Sequence, residues 1–484
     1  IQTFAEAYQA SFDDAHLNCD PDLMAVELSQ PVGAMTGYPT SPSAYVAVMQ
    51  PALATAVNAN ANGAASAWQQ YLSSTRRPDY AAGPQFSVLP RSEFWRVFVN
   101  PDAPEPVIPE EEPEDPGPIT DLDSMPAGTW YEVPGSQLQE LDGIAHLGSK
   151  PNVMGPWSGG VFDTTRNQLV VWGGGHADYA GNEIYAFNID DLAWRQLTEP
   201  SPISGITETL SDGTPNQDAL TDNTPSSRHT YNGLVYLPQQ DKLWSYSGSI
   251  WQSGYCRGGL WEYDFGFVGS ASPSQGWQLG ERGPSPSCED VAAYDSLTGL
   301  VYFFEGRSSS NSWRDALWTY DPSASGDPWQ KRFYSDDVIR ARKMTAVVDP
   351  ERRLFVAIGG GKLTVLDIST DTPELLSITA TGNTEIIDGG APGVAYDPVH
   401  KDIVIWNAEF DGSISPTDLY RLDTETFEIS KIAPSSSNTT VPTFASHLPG
   451  QYTTGVFGRF RYVPEKDVYI LVNGVDQNVY IYKR

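Results

Sequence analysis

From about residue 127 to Arg484 short apolar runs alternate with polar breaks, and the alternation has a longer period. Aligned on the polar turn between paired runs, six stretches correspond: GGVFDTTRNQLVVWGGG, GLVYLPQQDKLWSYSGS, VAAYDSLTGLVYFFEGR, MTAVVDPERRLFVAIGGG, GVAYDPVHKDIVIWNAE and RFRYVPEKDVYILVNGV. Each is an apolar strand, a turn usually opened by Asp or Pro, a second apolar strand, and a Gly or small-residue break. A third strand follows each time: NEIYAFN, GLWEYD, ALWTYD, KLTVLD, DLYRLD and NVYIYK. Most lead into a fourth, such as AWRQLTE or PWQKRFY. Short apolar runs rich in β-branched and aromatic residues, bounded by turn residues, predict strands. Four antiparallel strands recurring every roughly 45–60 residues predict propeller blades. The sixth copy stops at Arg484 after three strands, so its outer strand is expected from GTWYEVPG (128–135). That pairing would close the ring and cover a strand edge. Residues 201–227 are too short and polar for a seventh blade and read as a long loop.

Ahead of the repeats the pattern changes. FAEAYQASFDDAHL (4–17) and PSAYVAVMQPALATAVNANANGAASAWQQYLSST (42–75) are Ala-rich, with apolar residues every three to four positions. That spacing predicts helices, the second interrupted at Pro51. Residues 1–100 are therefore expected to form a small, mainly helical domain, or the remnant of a larger one. Residues 101–125, including EPVIPEEEPEDPGP, alternate prolines and acids and read as an extended, self-repelling linker. Residues 126–484 are the propeller. The fold class is mainly β, a six-bladed propeller closed by an N-terminal strand and preceded by a small helical domain.

Charge narrows the partners. The chain has 61 acidic and 29 basic residues in 484, a net charge of −32. Such a surface repels nucleic acid and anionic membrane, so neither is expected as a partner. No apolar run approaches the ~20 residues of a membrane helix. The chain opens Ile1-Gln2-Thr3, with neither Met nor a basic-then-apolar leader, which suggests a mature or trimmed form. Three cysteines allow at most one internal disulfide, in keeping with a secreted or periplasmic monomer.

Antiparallel up-and-down pairing places the second-to-third loops and the approaches to each first strand on one face of the disc. His176, in GGGHADYAGN, falls there, as do Arg228 and His229 in SSRHTYNG, His146 and His447. His400 falls on the opposite face. Arg257, Arg307, Arg342, Lys343, Lys362 and Arg459 join the first group, with Tyr179, Tyr231, Tyr255, Asp178, Asn182, Glu289, Asp290 and Glu409. A cationic mouth on an acidic protein selects anionic ligands. Each reading has a structural counterpart: His176 as a hydrogen-bond partner of its own loop, Arg342 and Lys343 as a solvated rim pair. Cys256 and Cys288 are neighbours on this face, and a disulfide between them is expected in an exported protein.

The Gly-Gly break followed by a Tyr-x-Phe/Tyr strand and a Trp resembles Kelch-type propellers, the fold of the galactose-oxidase central domain, over about three quarters of the chain. The one-face set of His, Tyr and Arg resembles that of propeller-type ulvan lyases. On that likeness the substrate is an anionic, uronate-containing polysaccharide cleaved by β-elimination. His176 or His229 would be the base and Tyr231 or Tyr179 the acid. Arg228 with Arg342 would clamp the carboxylate. Lys343, Asp178, Asn182, Glu409 and Arg257 would contact the chain. A second reading is a non-catalytic glycan- or protein-binding module. A third is a copper-radical oxidase, with Cys256 or Cys288, His176, His229 and Tyr255 as its site; it lacks a Tyr-His pair in a late blade. No Zn or Ca ligand spacing, phosphate loop or nucleophile elbow is present, so no metal or cofactor is expected.

Overall fold

The repeats fold into six sheets, each with four antiparallel strands, the blades of a β-propeller. A computed structural model of the chain describes residues 122–484 except 142–152, 156, 176–178, 203–217, 252–255, 257–258, 269–274, 282, 286–287, 307–314, 338, 408–413 and 444–454. The described residues belong to one compact unit, Pro118–Arg484. The expected helical domain, residues 1–100, lies outside them, as does most of the 101–125 linker. At the linker's end Leu122–Ser124 form a 3-10 turn, and Leu122 and Met125 are buried in the core. The packed unit thus starts slightly before residue 126.

The innermost strands of blades one to six are Gly160–Asp163, Leu234–Leu237, Val291–Tyr294, Thr345–Asp349, Gly393–Asp397 and Phe460–Val463. Each touches its counterpart in the two neighbouring blades, so the six make a closed ring around an axis. The inner three strands of a blade are buried on both faces, because a neighbouring blade lies on each side. In Gln168–Val171, Leu169 and Val171 pack toward blade six, while Val170 and the following Trp172 pack toward blade two. That two-sided burial explains why these strands read as continuous apolar runs. The outer strand of blade one, Ala193–Gln196, buries Trp194 and exposes the residue on either side.

Thr129–Glu132 closes the ring, pairing antiparallel with Tyr480–Lys483 as expected from the sequence. Trp130 anchors it: the indole N–H donates to Thr417 O at 2.9 Å, and the Trp130 backbone N–H donates to Asn438 Oδ1 at 2.7 Å. Two features lie outside the sequence reading. Thr381–Gly382 adds a fifth, parallel strand to blade five, and Arg228–His229 pairs with Ser249–Ile250 as a short ribbon beside blade two.

The residue opening the first turn is equivalent in all blades: Asp163, Leu237, Asp295, Asp349, Asp397 and Val463. The four aspartates are buried and accept backbone N–H groups of their own turns, as at Asp397 from Val399 and His400, each at 2.9 Å. Each also holds an arginine: Asp163–Arg166, Asp295–Arg353, Asp349–Arg352 and Asp397–Arg484. Asx geometry at these turns is the physical content of the Asp recurrence.

Candidate functional site

Six residues ahead of the turn-opening residue stand Trp157, Tyr231, Glu289, Lys343, Ala391 and Phe457, one per blade. All six have left-handed backbone, with φ from 44° to 60°. A non-glycine there costs about 1–2 kcal/mol, so six equivalent cases mark a conformation that ring closure imposes. Backbone bonds link them around the ring. Tyr231 N–H donates to Trp157 O at 2.7 Å, Ala391 N–H to Lys343 O at 2.5 Å and Phe457 N–H to Ala391 O at 3.3 Å.

Tyr231, Ala391 and Phe457 pack with Cys256 and Cys288 in one buried cluster. Tyr231 belongs to blade two and Ala391 to blade five, on opposite sides of the ring, so this cluster sits on the axis. Cys256 and Cys288 are joined by a disulfide, their Cα atoms 5.0 Å apart. The Tyr231 and Phe457 rings meet edge to face at 6.0 Å. The loop-face end of the axis is therefore capped by an apolar plug, and Tyr231 is only 7% exposed. His229, 2% exposed, lies beside the plug with its ring 5.1 Å from Trp157 and 6.0 Å from Tyr231.

Arg228 is fully buried. Its guanidinium donates to Ser226 O, Ser247 O, Gly259 O and Asp218 Oδ1, and lies over the Trp172 ring. Burial pulls its pKa down and Asp218 opposes that. Arg340 and Arg459 are buried in the same manner. Arg340 donates to carbonyls of Phe304, Glu305 and Glu289. Arg459 donates to those of Ser158, Gly455, Val472 and Asn473. These arginines clamp loop backbone. The position expected to hold a substrate carboxylate is thus occupied, in Arg228, by the protein itself. Gly174 and Gly175 have φ of 113° and 79°; Gly174 lies against Tyr179, and a Cβ on Gly175 would fall 2.3 Å from Arg228 Cα. Close approach and left-handed backbone account for the glycines before His176.

Tyr179 is also buried. Its hydroxyl donates to Glu183 Oε1, the same oxygen that accepts from Tyr185. Burial, then the Glu183 charge, pushes the Tyr179 phenol far above its ordinary value. A phenol so held is a poor proton donor to anything outside. Asn182 is a buried node, with Nδ2 donating to Ser201 Oγ, Thr224 Oγ1 and Pro225 O at 2.9 Å each.

Blade four presents a different picture. Arg342 follows Arg340 closely yet is 63% exposed, with Nε and Nη2 held by the buried Glu289 carboxylate at 2.8–3.2 Å. Its hydrogen bonds to Glu289 raise its pKa, and it stays charged. Lys343 and Lys362 lie on the same face, both partly buried. His176, Asp178, Arg257 and Glu409 lie outside the described residues, as do His146, His447, Tyr255 and Arg307.

Among the expected site residues the structure brings together His229, Tyr231 and the disulfide, with Arg342 nearby, and places Arg228, Arg459, Tyr179 and Asn182 in structural networks. Sequence reasoning missed Glu183 and the clamping role of Arg340. A signal was present: Arg228 and Arg340 both stand nine residues ahead of the turn-opening residue of their blades.

No family model and no curated protein match the chain. Among solved structures it is similar to a structural-genomics protein of unknown function from Bacteroides thetaiotaomicron. The identity is 12% over 73% of this chain and 75% of that one, with a TM-score of 0.41. A likeness of that order carries no argument about function, which rests on the site.

Proposed function

We propose that this propeller is an exported, monomeric binding module that holds an anionic polysaccharide, or another acidic glycan, across its loop face. The observation that carries the reading is Arg342. A buried carboxylate fixes one edge of its guanidinium while most of the side chain faces solvent, which pre-organises it for a ligand carboxylate or sulfate. Lys343 and Lys362 add positive charge on that face, and the partly exposed Trp157 offers a ring on which a sugar can stack. The Cys256–Cys288 disulfide supports export, since disulfides persist in oxidising compartments.

Binding is favoured over β-elimination because Arg228 and Tyr179, the expected clamp and acid, have their polar atoms committed within the fold. The test is affinity electrophoresis through gels of alginate, polygalacturonate or ulvan, with dextran as the neutral control. Retention by an acidic gel that weakens about tenfold in Arg342→Ala supports the proposal. Equal retention of both forms, or retention by dextran alone, defeats it. The same glycans are followed by absorbance at about 235 nm, where the unsaturated product of elimination absorbs. A rising signal there would replace binding with cleavage.

A further inference from the structure

Two residues ahead of the turn-opening residue, the six inner strands carry Val161, Val235, Ala293, Val347, Ala395 and Arg461. Five are small and apolar; the sixth is a cation at the same level of the axis. Four of the five, with Arg461, line a cavity of about 280 Å³ between the inner strands. Thr164, Pro238 and Ser296, all in first-to-second turns, also line it, so it reaches the turn face, opposite the plug.

Arg461 differs from the clamping arginines. Its Nε donates to Gly458 O at 2.9 Å and Nη2 to Gly160 O at 3.2 Å, which ties blade six to blade one. Among the described residues Nη1 has no hydrogen-bond partner and no carboxylate acts on the group: desolvation pulls its pKa down to about 10. It remains charged at neutral pH. The turn aspartates of blades one, three, four and five are each bound to another arginine, and blade six has Val463 where those blades have Asp. On a protein of net charge −32, the axis thus holds a half-buried cation that no acidic side chain among the described residues pairs. A cation partly withdrawn from water gains from a counter-ion.

From this geometry we infer a second binding site, independent of the glycan face. The axial cavity takes a small organic monocarboxylate from the turn face, its carboxylate on Arg461 and its apolar body against Val161, Val235, Ala293 and Val347. The volume is near the lower end of small-molecule sites, roughly 300 Å³, and suits a body of one ring or a short alkyl chain. Low-dielectric walls strengthen the ion pair, and the uncommitted Nη1 supplies donors for it.

The experiment is calorimetric titration of the full chain with benzoate and, as its uncharged isostere, benzamide. Benzoate is expected to bind at least about tenfold more tightly than benzamide. Arg461→Met, which keeps the length and removes the charge, should abolish that preference, and Arg461→Lys should keep part of it. Ala293→Leu, which fills the cavity from across the axis, should weaken benzoate with the charge intact. Equal binding of benzoate and benzamide by the wild type overturns the inference without any variant. So does a benzoate affinity untouched by Arg461→Met, or no benzoate binding up to roughly 10 mM. Glycan retention is read on the same samples, and because it depends on the opposite face either site can fail alone.

Discussion

At the scale of single residues, the most consequential groups are buried arginines that serve backbone carbonyls. Arg459 satisfies four carbonyl oxygens with no carboxylate beside it, and burial draws its pKa down to about 9. Arg459→Met would leave those acceptors buried and unpaired, a loss expected at about 3–5 kcal/mol and measurable as a lower midpoint in urea. Arg459→Lys should recover little, because an ammonium cannot reproduce the planar fork. Tyr179→Phe removes one of two donors to Glu183 and should cost about 1–2 kcal/mol. If Tyr179 were instead a proton donor to substrate, that variant would change turnover while leaving the unfolding midpoint in place. None of these roles was legible in residue type. Arginine, histidine and tyrosine on one face suggest chemistry equally well whether their polar atoms face a ligand or the loop behind them.

At the scale of the element, the repeated unit is a strand pair whose first turn is opened by a buried acid. Burial acts to raise the Asp397 carboxyl. Hydrogen bonds from Tyr469, the His400 N–H, Arg484 and the His400 ring outweigh it and hold the pKa down at about 2. A carboxyl with a folded pKa below its unfolded value, about 3.9, contributes stability that is complete above that value. The contribution is lost as pH falls through the folded value. Asp397→Asn should therefore be less stable than wild type at pH 6, and the gap should close between about pH 4 and pH 2. Thermal melts across that range decide it; a constant gap would mean that the charge of Asp397 contributes nothing. This element was readable in advance, since Asp or Pro between two apolar runs is a turn with a mechanism. The left-handed residue six places earlier was not readable, because Trp, Tyr, Glu, Lys, Ala and Phe share no side-chain chemistry.

At the scale of the molecule, closure decides stability. Thr129–Glu132 supplies the last strand of blade six from the other end of the propeller sequence, and Trp130 fixes it to blade five through Thr417. Trp130→Ala should cost about 3–5 kcal/mol. Removing residues up to 132 exposes Tyr480–Lys483 as an unpaired edge, and light scattering should then report association. The disulfide spans a sequence separation of 32. Cys256→Ser should accordingly lower stability by about 3–4 kcal/mol on a chain-entropy estimate, seen as a fall in Tm. An unchanged Tm would mean that the apolar plug holds the two loops without the bond.

The apolar periodicity determined the blades, their number, their strand order and the closing strand. Each of these follows from local alternation, turn chemistry and the need to cover a strand edge. It also held the Arg461 anomaly, visible as RYV beside VFD, VYL, AYD, VVD and AYD, although its meaning requires knowing that those positions meet on one axis. Only the tertiary structure decided which polar groups the fold itself consumes. Whether an arginine faces a ligand or a carbonyl depends on which loops pass within 3 Å of it. Those loops come from blades far apart in sequence: Gly160 and Arg461 stand at opposite ends of the propeller and touch because the ring closes.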